Sequence, residues 1–141
     1  MSHFTNTLKT SRIINIALIA GVLAFAGIAV YLHEGKVVWN GEDIIFQVAL
    51  LVAFGSVAAS FILFKQFLKK AAQASTTEEK LNQYTAAKII QWALLEGSAL
   101  FGGVVVLITQ NGFALILTLA MVALLLITAP SEAKMRHELD L

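Results

Sequence analysis

Cysteine is absent and charge is scarce. Without a thiol the chain has no disulfide framework, no thiolate metal site and no cysteine nucleophile. Charged residues make up 13% of the 141 residues, against about 25% in an ordinary water-soluble domain. That deficit is too large for a surface wetted on all sides. A formal net charge of +1 gives no electrostatic case for nucleic-acid binding. The three histidines fall in a tail (His3), a loop (His33) and a second tail (His137), too scattered for a metal or haem site. No Ser/His/Asp set, carboxylate pair or nucleotide fingerprint is present, so the chain reads as non-enzymatic and without a cofactor.

Apolar residues fill the space that charge leaves. They make up 58% of the chain, and mean hydropathy is +0.79. Four runs stand out: 13–32, 44–64, 89–109 and 113–128. Each approaches the ~20 residues that cross a ~30 Å hydrocarbon core as a helix. In lipid, backbone polar groups are satisfied only by helices or closed barrels, and runs of this length are not barrel strands. The expected fold is all-α, a single four-helix transmembrane bundle over residues 1–141, with lipid as its first partner. The first run is too long for a signal-peptide core and reads as an uncleaved helix.

Basic residues set the expected orientation. Nine of the ten lie in the N-terminal segment (Lys9, Arg12), the second connection (Lys65, Lys69, Lys70, Lys80, Lys88) and the tail (Lys134, Arg136). The first connection holds only Lys36, beside Glu34, Glu42 and Asp43. Positive-inside logic puts both termini and residues 65–88 on the cytoplasmic side of the inner membrane. Ser75-Thr76-Thr77-Glu78 and Thr76-Thr77-Glu78-Glu79 match the capping-box pattern. The third helix is therefore expected to start near Thr77, about ten residues before the membrane. Leu81, Tyr84, Thr85 and Lys88 share a face of that overhang, either solvated or open to a partner.

Helices one and three look like a repeat. An offset of 76 residues sets Ile13-Ile14, Ala17-Leu18, Gly21, Phe25, Gly27 and Val30 on identical residues, eight identities in 21 ungapped pairs. Two related hairpins are the implied architecture. Small-xxx-small spacings, which let helix backbones approach closely, recur at Ala17/Gly21, Ala93/Gly97, Ser98/Gly102 and Ala99/Gly103. About 100° per residue puts Ala93, Ala99 and Gly103 on one face of helix three and Ser98 and Gly102 on another. One face is expected to serve the bundle, the other a second copy or another membrane subunit.

Glu96 is the only charged residue in the four runs. A carboxyl at that depth costs several kcal/mol unless sheltered, which makes it the leading candidate for activity. Counted from the helix midpoints, Ser56 lies at similar depth and is the first expected partner, with Thr118 second. Asn15, Ser60 and Gln91 form a further polar layer roughly 6–8 Å towards the cytoplasm. Two uses follow: an interhelical hydrogen bond inside an assembling subunit, or carriage of a proton or Na⁺ with Ser56 and Thr118 as further ligands.

The segment from helix two through helix three resembles the hairpin of rotor-ring subunit c of rotary ATPases: a small-residue helix, a polar loop, then a helix with one mid-membrane Glu. That resemblance implies an ion-carrying role for Glu96 alone. The chain lacks the close Gly-x-Gly-x-Gly run, has a longer Lys-rich loop and adds a helix on each side. Over most of its length it more closely resembles small four-helix membrane proteins of Bacteroidetes-type bacteria. That likeness is carried by Ala93-Leu94-Leu95-Glu96-Gly97-Ser98-Ala99-Leu100-Phe101 and by the tail Pro130-Ser131-x-x-Lys134 ending Glu138-Leu139-Asp140-Leu141. It implies a fold and no activity.

Overall fold

The structure is a computed structural model and describes Ser2–Leu139 and Leu141. Asp140 and the side chain of His3 lie outside the described residues. Five helices follow in order: α1 (Ser2–Leu32), α2 (Ile44–Ala72), α3 (Thr77–Thr109), α4 (Gly112–Ile127) and α5 (Glu132–Leu139). The first three are long and apolar enough to cross a membrane. A fourth apolar segment is formed by α4 with α5, bent by 71° at their junction.

Two boundaries differ from expectation. The segment 65–88 is mostly helical: α3 begins at Thr77 as expected, but α2 runs on past Phe64 to Ala72, leaving only 73–76 between them. Past Phe64 the chain has no glycine or proline to stop the helix. Lys69 and Lys70 fall in its last turn, where cations complement the C-terminal dipole. The start of α3 is capped as its sequence suggested: Thr76 Oγ1 accepts from the Glu79 amide at 3.1 Å. The second difference is α5, which the tail sequence did not announce. Ser131 Oγ caps it by accepting from the Lys134 amide at 3.2 Å.

The bundle is organised around α3. This helix packs most extensively on α2, then on α1 and α4, while α1 and α2 scarcely touch. The glycines of α3 set two of those contacts. A Cβ at Gly102 would come within 2.5 Å of Thr118 Oγ1 on α4, and one at Gly103 within 2.6 Å of the Phe25 ring on α1. Both expected faces contribute inside the chain: Ala99 and Gly103 of one and Ser98 and Gly102 of the other lie on one broad buried arc, while Ala93 of the first face stays exposed.

The ends are closed differently. At one, the loop after α1 straps the α3–α4 turn: the Val38 amide donates to the Gln110 carbonyl at 2.9 Å, and the Gly112 amide donates to the Val38 carbonyl at 2.6 Å. Asn111 Nδ2 donates to the Asn40 carbonyl at 2.7 Å, while its Oδ1 caps α4 at the Phe113 amide. A His33 ring nitrogen bonds the Leu107 carbonyl at 2.8 Å. At the other end, rich in lysine, Phe4, Leu8, Phe64, Ala71, Leu81, Tyr84, Met135 and Leu139 form one buried cluster. Both tails of the chain meet there, so Leu81 and Tyr84 face the chain's own α5 and α1 rather than water.

Candidate functional site

Glu96 sits on the rim of the buried arc of α3, and its side chain is only partly buried. The position corrects the expectation of a carboxyl enclosed by neighbouring helices. Seven residues on, Gly103 packs against Phe25 of α1. Seven residues is about 20° short of two full turns, so Glu96 lies on nearly the same side of α3 as the Gly103 contact with α1. The next positions round the helix, Ala93 and Gly97, are exposed. Nothing lies within 4 Å of where a Gly97 Cβ would stand.

The expected partners do not converge on it. Among the described residues no hydrogen bond joins Glu96 to Ser56 or Thr118. Ser56 is partly buried on α2. Thr118 is buried on α4, and its hydroxyl lies 3.0 Å from the Ala114 carbonyl and 3.4 Å from that of Ala99. Ala17 and Gly21 of α1 are exposed, like their counterparts Ala93 and Gly97 on α3. The counterparts Gly27 and Gly103 differ: Gly27 has open space around it, whereas Gly103 meets Phe25.

Asn15, Ser60 and Gln91 are all buried, each with its own partner rather than with one another. Asn15 Nδ2 donates to the Leu125 carbonyl at 3.0 Å. Ser60 Oγ donates to the Val57 carbonyl one turn back, at 2.8 Å. Gln91 Oε1 accepts from Lys88 Nζ at 3.3 Å.

Lys88 is the residue that sequence reasoning missed. Grouped there with the solvated bases of a loop, it is only 3% exposed. Its ammonium also donates to the Thr128 carbonyl at 3.2 Å and stands 4.3 Å from the centre of the Phe64 ring. Tyr84 flanks it at 5.9 Å. Trp92 Nε1 completes the layer by donating to Thr128 Oγ1 at 3.2 Å. A signal was available: Tyr84, Lys88, Gln91 and Trp92 follow 4-3-1 spacing, which places all four on one helix face.

Two polar groups are thus held in different ways. Lys88 has an internal set of acceptors and aromatic faces. Glu96 is partly buried beside the exposed Ala93 and Gly97 and has no hydrogen-bond partner among the described residues. Comparison with protein-family models, curated proteins and solved structures finds no match.

Proposed function

We propose that this chain is a non-enzymatic, multi-pass subunit of the inner membrane, with both termini cytoplasmic, that self-associates through the outward faces of α1 and α3. One observation carries the reading: Glu96 stands on the rim of α3 beside Ala93 and Gly97, with open space where a Gly97 side chain would be. A lone carboxyl exposed to hydrocarbon is expensive. A second copy related by an axis along the membrane normal brings its own Glu96 to the same depth. The two carboxyl groups then hydrogen-bond each other, an interaction worth ~0.6–2 kcal/mol. The exposed pairs Ala17/Gly21 and Ala93/Gly97 allow the backbones to come close, and a duplication of helices one and three accounts for their matching positions.

The absence of native cysteine makes the test direct. In native membranes, Ala93→Cys is expected to give an oxidised dimer, and Ala99→Cys, buried against the chain's own helices, none. Loss of the Ala93→Cys dimer in a Glu96→Leu background places the carboxyl at the seam. A protein that stays monomeric, with Ala93→Cys unlinked, overturns the reading.

The partly exposed position of Glu96 also suits a carrier that hands a proton or Na⁺ to an adjacent subunit, as the likeness to subunit c implies. A cation site needs several oxygen ligands, which a neighbouring copy would have to complete. Protection of Glu96 from dicyclohexylcarbodiimide by Na⁺ or by raised pH separates this use from simple assembly.

A further inference from the structure

A cleft opens between α2 and α3 near the lysine-rich end. It encloses about 220 Å³ and is lined by Phe67 and Lys70 of α2 and by Gln83, Ala86, Ala87 and Ile90 of α3. Gln83, Ala87 and Ile90 follow 4-3 spacing, which keeps them on one side of α3, and they span about 10 Å of its length. The cleft changes character along that rise. Phe67 and Ile90 lie within three residues of the ends of the apolar runs 44–64 and 89–109, whereas Lys70 and Gln83 lie more than a turn outside them. It therefore straddles the level at which a bilayer passes from hydrocarbon to headgroups.

Charge on the α2 side of the cleft is uncompensated. Lys70 is exposed, as are Lys65 and Lys69 on the same helix. Among the described residues the single salt bridge joins Arg136 to Glu132, on α5. Glu79, one turn before Gln83, is engaged locally: its Oε1 accepts from Gln83 Nε2 and its Oε2 from Ser75 Oγ, both at 3.4 Å. Apolar walls hold water poorly, and a small soluble anion would leave them bare. A plain hydrocarbon chain would leave the ammonium unanswered. A phospholipid with an anionic head meets both demands.

We propose that this cleft binds an anionic phospholipid, with the phosphate at Lys70 and the upper part of one acyl chain between Phe67 and Ile90. Basic pockets between membrane helices take such headgroups, and Lys65 and Lys69 strengthen the local field. The inference rests on that part of the reading above which puts the chain across a bilayer. It is independent of the α1–α3 seam.

The test is native mass spectrometry of the full chain, released from micelles holding equal amounts of phosphatidylglycerol and phosphatidylcholine with matched acyl chains. The unaltered chain is expected to retain phosphatidylglycerol in about tenfold excess. Lys70→Gln should cut that preference about fivefold, the effect of one lysine at an anionic membrane surface. Lys9→Gln removes the same charge from an exposed position on α1 and should leave the preference intact. Ala86→Leu, on the exposed lip of the cleft, should lower phosphatidylglycerol retention with helix content unchanged. Glycerol 3-phosphate, a head without a tail, should not displace the lipid. A chain that fails to insert into vesicles overturns the membrane reading and this inference with it. An inserted chain that retains both lipids equally, loses as much preference in Lys9→Gln, or yields its lipid to glycerol 3-phosphate overturns this proposal alone.

Discussion

Gly102→Ala is the sharpest probe of the α3–α4 contact. The new Cβ would stand 2.5 Å from Thr118 Oγ1, so the hydroxyl must move by most of an ångström. Thr118 is 1% exposed, and moving its hydroxyl strains or breaks the bonds to the Ala114 and Ala99 carbonyls. Overpacking of this kind costs about 1–3 kcal/mol. Alanine returns about 1 kcal/mol of helix propensity, leaving a net loss of about 0–2 kcal/mol, and about 1–3 kcal/mol relative to an unclashing Gly→Ala. Gly97→Ala supplies the control, since its Cβ meets nothing within 4 Å; in the monomer it should be neutral or slightly stabilising. Reversible unfolding in bicelles, followed by tryptophan fluorescence, measures both. Adding Thr118→Ala to Gly102→Ala removes the clashing oxygen and should recover at least half the loss, a coupling that a double-mutant cycle isolates. Equal stability of the Gly102→Ala and Gly97→Ala chains refutes the close approach of α3 and α4.

Two further outcomes are expected from the same unfolding assay. Asn111→Ala removes the cap on α4 and the bond to the Asn40 carbonyl together; it should cost about 1–2 kcal/mol and loosen the strap, read as faster amide exchange at Val38 and Gly112. Trp92→Phe keeps most of the ring but loses the bond to Thr128 Oγ1, for a cost of about 0.5–1.5 kcal/mol; Thr128 retains the Leu124 carbonyl as its acceptor, so the fold should otherwise hold.

The helices were legible because their signals are local. Apolar runs of spanning length and a Thr-led cap before Glu79 need no knowledge of neighbours. What could not be read was which side of each helix faces what. The small residues of α3 divide into two stripes in sequence, yet Gly102 and Gly103 each meet a different helix of the same chain, while Ala93 and Gly97 stay outward. Small-residue spacing says that something approaches closely, and α3 has three neighbours to choose from. Charge misled for a related reason. Counting Lys88 as one of the orienting bases treats its ammonium as solvated, but Phe64, Gln91 and the Thr128 carbonyl enclose it from three elements at once. The eight-residue α5 leaves too weak a pattern to read, because its stability lies in its packing against Phe4, Leu8, Phe64, Leu81 and Tyr84 rather than in its own sequence.

The strap at the loop end bears on the membrane itself. With 16 residues, α4 is about 24 Å long, several ångströms short of a typical hydrocarbon core. Non-helical backbone survives at such depth only where its polar groups are satisfied by protein. Val38, Gln110, Asn111 and Gly112 meet that condition by bonding one another and the adjoining loop. The joined loops thereby pin the start of the shortest apolar helix to the chain that follows α1, so α3 and α4 cannot part at this end without breaking the bonds through Val38 and Asn111.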